Sequence, residues 1–209
     1  DVSKKTLDQS QFLKAPGAQE DPVKAVQNLP GVANQAFSSQ IVIQGSAPDD
    51  TRYTLNGHEI PLVFHFAGLT SVVPPRAIGS VDYLASGYGP EYGRALGGII
   101  NLNTRAPKED RWHGEAFVDI TKLGALTEGP VSEDSGLFIS GRVSYIGKLL
   151  EAAADNMDEF EITAAPEFQD FFIEYDKELN ASETLSFSTI RSQDTLGLVL
   201  KDGDDPGFL

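Results

Sequence analysis

The chain contains no cysteine, which removes disulfides, thiolate nucleophiles and cysteine-type zinc sites together. Histidine is nearly as scarce, with three in 209 residues. His58, His65 and His113 fall on different expected elements, and none has a second metal-type ligand at helical or hairpin spacing, so no metal or other cofactor is expected. There is no Ser-His-Asp pattern and no P-loop, and the glycine-rich stretch lacks the strand, GxGxxG and helix setting of a dinucleotide site. An enzyme therefore has no machinery to stand on. No apolar run approaches the ~20 residues of a membrane helix, a test that does not register barrel strands of ~9–11 alternating residues. Basic residues are also few: 16 Lys and Arg face 31 Asp and Glu, for a net charge of −15. Such a surface repels phosphates and disfavours nucleic acid, so no nucleic-acid partner is expected.

The acidic excess is confined to one half. Residues 1–108 hold nine acidic and nine basic side chains, whereas 109–209 hold 22 and seven. The seam lies near Pro107, giving two expected units, 1–107 and 108–209.

The first unit is organised around Val81 to Arg105. Val81, Tyr83 and Ala85 alternate along a strand that enters a turn with Gly87, Gly89, Gly93 and Gly97-Gly98, followed by a second strand, Ile99 to Thr104. So many glycines cost folding entropy, and their use must be positional: backbone at positive φ, or backbones too close for a Cβ. Upstream, Val2 to Leu7 reads as a short strand and Phe12 to Gln19 as a linker. Asp21-Pro22 supplies an N-cap and a first-turn proline for a helix carrying Val23, Val26 and Leu29 and ended by Pro30-Gly31. Asn34 to Ser39 reads as loop, and Ile41 to Ile43 as a buried strand. Tyr53 to Ile60 reads as a hairpin whose Asn56-Gly57 tolerates a type I′ turn. A short helical turn is expected at Pro74 to Ile78. The sum is a small mixed α+β domain of about four strands and two or three short helices.

These motifs, DPVKAVQNLPGV, then IVIQG, YTLNG and the Val81–Arg105 run, stand in an order across residues 2–107 that resembles the plug domain of TonB-dependent outer-membrane transporters. The ordering is more specific than any one motif.

From Arg111 onward the pattern changes to period-2 alternation, with half-buried strands expected at 112–120, 123–130, 136–146, 167–178 and 184–193. Short turns are expected at Ser132 to Ser135 and near Asn180, and a long acidic loop at 147–166. Alternation alone also fits a soluble antiparallel sandwich. In the family, however, the plug is followed directly by the first barrel strands, so the resemblance implies antiparallel strands of an incomplete transmembrane β-barrel. About five strands cannot close a plugged barrel of ~22. A chain opening on Asp1 without a leader and stopping at a turn-like Asp204 to Leu209 reads as a piece of a longer protein.

The resemblance implies energy-coupled uptake, by a receptor in the bacterial outer membrane, of a scarce ligand of the siderophore, cobalamin, saccharide or peptide class. The plug would gate the lumen from inside the barrel, facing the periplasm and surrounded by outer-membrane lipid. TonB would pull an N-terminal box paired as an added strand; no such box is evident before Val2. The apical loops implied are Asn34 to Ser39, Ser46 to Thr51 and Leu62 to Phe66, with Asn34, Gln35, Phe37, Asp49, Asp50, Arg52, Phe64, His65 and Phe66 as candidate ligand contacts. Asp49-Asp50 would bind a cationic ligand or cap a turn. Phe64, His65 and Phe66 would form a contact floor or bury against the hairpin. Family plugs often carry arginine where this chain has Gln44 and Ser86, so an ionic contact with the wall is either absent or moved to Glu91 and Arg94, which could equally share a local turn hydrogen bond. Asp155, Asp158, Glu159 and Glu161 read as a solvated outer loop rather than a Ca²⁺ site, and Asn180-Ala181-Ser182 as a tight turn rather than a glycosylation site. Two other readings are a soluble plug-like module that recognises a partner without transport, and a surface receptor relaying a signal through an N-terminal domain.

Overall fold

A computed structural model describes residues 4–34, 41–93, 95–149 and 164–198. Strand β1 (Lys4–Asp8) gives way at once to helix α1 (Gln9–Leu13). The break is enforced by Asp8: its Oδ1 accepts from the Gln11 amide at 2.9 Å, and its own amide donates to the Gln11 side chain at 2.9 Å, a reciprocal capping box. Helix α2 (Pro22–Val26) is capped by Asp21, whose Oδ1 accepts from the amides of Val23 and Lys24. Strands β2 (Val32–Asn34) and β3 (Ile41–Ile43) pair with each other. Strands β4 (Arg52–Leu55) and β5 (His58–Glu59) form the expected hairpin, with Asn56 at φ 50° and Gly57 at φ 80°. A 3-10 turn at Pro75–Ala77 leads into β6 (Ile78–Leu84), and β7 (Ile99–Thr104) follows the glycine-rich turn.

Five of these strands make one sheet in the order β1-β6-β7-β4-β5, antiparallel except where β4 runs parallel to β7. The seven strands among the described residues exceed the four or so expected; Val32–Asn34, for one, is too short to show a period. The core on this sheet contains Phe12, Val23, Val26, Ile41, Ile43, Val81, Tyr83, Ile100 and Leu102. Gly98 explains part of the glycine density. A Cβ there would lie 2.3 Å from Cδ1 and 2.6 Å from Cγ2 of Ile43, so the start of β7 approaches β3 more closely than any side chain permits.

The second half is a meander of β8 (His113–Val118), β9 (Lys122–Ser132), β10 (Ser135–Ser144), β11 (Ala164–Asn180) and β12 (Glu183–Leu198). Its order, β12-β11-β10-β9-β8, pairs only sequential neighbours, all antiparallel, and leaves the sheet open. The turn after β11 is tight, with Asn180 Oδ1 accepting from the Ser182 amide and hydroxyl. The acidic run 155–161 lies outside the described residues. The faces differ sharply. Even-numbered Leu126, Glu128, Phe138, Ser140, Arg142, Phe168, Asp170, Phe172 and Glu174 are buried, and Leu126, Phe138 and Phe172 join the same core as the mixed sheet. On the odd-numbered face Leu123, Val143, Phe171, Leu185 and Phe187 are exposed. A sandwich sheet would turn polar side chains away from its core, whereas an outer face of bare apolar side chains is the pattern of a barrel wall.

Gly98→Ala should destabilise by about 1–3 kcal/mol through overpacking. Combining it with Ile43→Ala should cost clearly less than the two single changes together, because the methyls that clash are gone. Urea unfolding of the single and double variants checks this; strict additivity would mean that the two sites do not touch. The edge strand β1 is held by polar contacts: Asp82 accepts from Thr6 at 2.6 Å and Asn103 at 3.0 Å, and lies 3.1 Å from the Lys4 ammonium. Burial pushes the Asp82 carboxyl up, but these hydrogen bonds and the ammonium outweigh it and hold it below the usual range. A depressed carboxylate stabilises the fold above its unfolded value and loses that contribution as pH falls through the folded one. Amide exchange protection in β1 should therefore decline on acidification below about pH 4 while β7 stays protected, and Asp82→Asn should start weaker and lose the dependence.

Candidate functional site

The residues that bring chemistry together lie where the mixed sheet meets the meander. The loop from Leu62 to Ser71 is folded back on itself: the His65 amide donates to the Thr70 carbonyl at 2.9 Å, and the Val72 amide to Val63 at 2.9 Å. This turn drives Phe64 inward, edge-on to Tyr53 of the hairpin at 6.5 Å. It aims His65 the other way, into the meander. There the imidazole, fully buried, has Nε2 at 2.9 Å from Asp170 Oδ2 and Nδ1 at 2.7 Å from Asp194 Oδ1, and stacks on Phe168 with centroids 3.9 Å apart.

Asp170 also accepts from Arg142 Nη2 at 2.5 Å, and the same nitrogen donates to the Ser71 carbonyl at 2.8 Å. The Ser71 amide in turn donates to Asp21 Oδ2 at 2.6 Å. A continuous polar path thus runs from the cap of α2 through the loop to three strands of the meander. Within it Ser71 Oγ, Arg142 Nε and Nη1 and Asp170 Oδ1 have no partner among the described residues. The seam is less fully satisfied than a protein core, where buried polar groups are nearly all paired.

A second cluster sits where the chain passes from one sheet to the other. Arg105, just beyond β7, forks onto Glu128 with Nη1 at 2.7 Å and Nη2 at 2.9 Å, and its guanidinium lies 5.5 Å from the Phe138 ring centroid. The Lys108 amide and ammonium reach the same carboxylate at 3.1 and 3.4 Å. Such bidentate, charge-assisted bonds are the strong ones. Nearby, the Thr104 hydroxyl donates to Glu174 at 2.7 Å. On the flank, Arg76 pairs with Glu115 at 3.3 Å beside a cavity of about 440 Å³ that Thr70, Phe117, Lys122 and Arg142 help to line.

The residues singled out from sequence are dispersed. Asn34 ends β2; Gln35, Phe37 and Arg94 lie outside the described residues. Asp50 caps its own 3-10 turn, accepting from the Ala47 amide at 3.1 Å, with Asp49 beside it in that turn. The Arg52 guanidinium bonds Glu59 across the hairpin and the Gly93 carbonyl. Glu91 is exposed in the glycine-rich turn. Phe64 is buried, His65 is in the seam, and Phe66 and Leu62 are about half exposed on either side of them. Sequence reasoning missed Arg105, Glu128, Arg142, Asp170, Glu174 and Asp194. The available signal was phase: on β9, β10 and β11 these charges occupy the even-numbered face together with Phe138 and Phe172, where burial leaves no room for an unpaired ion.

Residues 2–99 match the family model described as the TonB-dependent receptor plug domain. No curated protein matches the chain. Among solved structures, the siderophore receptor PirA from Pseudomonas aeruginosa is similar at 15% identity and TM-score 0.61, covering 93% of this chain and 36% of that one. A mutant of the ferric enterobactin receptor PfeA from the same organism gives 16% identity and TM-score 0.60, covering 93% and 33%. The outer membrane transporter YddB from Escherichia coli gives 11% identity and TM-score 0.61, covering 89% and 32%. At these identities the likeness is one of fold, and the chain spans about a third of each of these proteins.

The Arg105 fork yields a prediction. Arg105→Met should destabilise the folded chain by ~2 kcal/mol, since it removes two charge-assisted hydrogen bonds and leaves an almost wholly buried carboxylate only Lys108 as partner. Adding Glu128→Leu should recover most of that loss. Thermal unfolding in detergent micelles checks it, and a double variant no more stable than the single would show that the two side chains are not an energetic pair.

Proposed function

This chain carries the plug domain of a TonB-dependent receptor followed by strands in the fold of outer-membrane receptors, and from that premise we propose that it is the stopper and opening wall of an energy-coupled uptake system. Residues 1–107 fill the lumen and 108–209 begin the barrel. The observation that supports this most is the two-faced meander. Its inner face holds the plug through paired charges at His65, Arg142, Asp170, Arg105 and Glu128, while its outer face presents Leu123, Val143, Phe171 and Phe187 bare. A soluble module would have no use for that band.

In this reading the tight turns at 133–134 and 181–182 face the periplasm, and the Leu62 to Ser71 loop points toward the outside. The ligand meets the apical loops, with the exposed Phe66 and Leu62 as its apolar contacts. Asp49, Asp50 and Arg52 lie at or beside a second loop, and Asn34, Gln35 and Phe37 are further candidate contacts. Glu91 and Arg94 contribute a further contact between plug and wall. Among ligand classes, siderophores are favoured by the names of the similar structures, two of which are receptors for siderophores or ferric enterobactin. TonB supplies the energy by pairing with a box upstream of the plug.

Cells carrying the full-length gene should take up a labelled ferric siderophore under iron limitation, and uptake should vanish when either the gene or TonB function is removed. A product recovered in the soluble fraction, with uptake unchanged by its deletion, would favour the binding-module reading instead.

A further inference from the structure

His65 reaches the wall at a socket that strand geometry builds without help from the plug. Phe168 and Asp194 are cross-strand partners of β11 and β12, and Asp170 lies two residues along β11, on the same face as Phe168. Together they make a flat aromatic floor with one carboxylate at either side. The imidazole fills this socket completely, stacked on the floor with a carboxylate oxygen against each ring nitrogen. Two ionised carboxylates can only accept, and a ring that donates from both nitrogens to such a pair is an imidazolium.

Building on the transport reading, we propose that His65 is a releasable charged latch: its imidazolium, held by Asp170 and Asp194 on two adjacent wall strands, closes the seam, and its withdrawal opens the lumen beside the Leu62 to Ser71 loop. The loop is built for such coupling. Leu62 and Phe66 are exposed on the segment that carries the buried ring, so a ligand that grips either one pulls on a residue at most three positions from the latch. The vacated socket is itself a cation site, two carboxylates over an aromatic face, and accepts imidazolium-like groups by the same chemistry.

Chemical rescue in the full-length receptor tests this. Reconstituted in liposomes, His65→Gly should raise leakage of a small sugar roughly ten- to hundredfold, the effect expected of removing hydrogen bonds to charged groups. Imidazole, which can enter as a cation, should restore the seal. Pyrazole, of the same shape but far less basic, should not, and neither should work once Asp170→Asn and Asp194→Asn are added. A His65→Gly receptor as tight as the parent, or equal rescue by pyrazole, would overturn the latch. Deletion of residues 1–107 serves as the control for the reading beneath it. If that deletion conducts while His65→Gly stays tight, only the latch fails; if it does not conduct, the transport reading fails. The latch is then decided by ¹⁵N NMR of the His65 ring, where two nitrogen-bound protons support it and one refutes it.

Discussion

Everything in this structure depends on how a folded domain is held against a wall that buries only one of its faces. An apolar contact of the usual kind would hold well and release poorly, because every Å² withdrawn from it is exposed to water at a cost of about 25 cal/mol. Beside the apolar contact of Leu126, Phe138 and Phe172, the seam concentrates ionisable groups: Arg142, Asp170, His65 and Asp194 at one level and Arg105, Glu128 and Lys108 at another. Buried ion pairs contribute little net stability compared with hydrophobic residues of equal volume, yet they tolerate only the matched partner. That combination gives register without an irreversible bond, which suits the proposed role of a stopper.

The mixed sheet serves the same end. Its glycines let β7 press against β3 at Gly98, and its caps at Asp8 and Asp21 fix where the chain turns. Asp21 does both jobs, since one carboxylate oxygen caps α2 and the other takes the Ser71 amide. The loop that carries His65 is therefore anchored from behind by the plug core before it reaches the wall. A ring pinned in this way arrives at its socket with little entropy left to lose, so the contact forms cheaply even though its partners lie more than a hundred residues away.

Much of the architecture was legible in the residues. The Asp21-Pro22 cap, the Asn56-Gly57 turn and the second glycine-flanked strand, Ile99 to Thr104, are local signals, and each element formed where its chemistry demanded. The alternation from Trp112 onward gave the five wall strands to within a few residues, apart from the further reach of β11 and β12. The seam was not legible, and the reason is physical. His65 and Asp170 are 105 residues apart and His65 and Asp194 129, so no period or spacing connects them. What the alternation did contain was the phase of the charges. Arg142, Asp170 and Glu174 share the face of Phe138 and Phe172, and a charge on the same face as buried aromatics must have a partner from elsewhere.

The two ionic clusters differ in what the chain itself contributes. Arg105 and Glu128 are separated by only 23 residues, so the covalent connection keeps the pair at high effective concentration and a broken fork closes again quickly. The connection from His65 to its carboxylates runs through the whole remainder of the plug and most of the wall, and it supplies no such local return. Under a pull transmitted through the plug, the distant contact should therefore yield while the near one holds, converting Arg105 into the pivot and His65 into the edge that swings free. On the proposed reading, a domain fastened in this asymmetric way would open a passage along one side without being expelled, with the seat at Phe168, Asp170 and Asp194 left in place for the ring to find on its return.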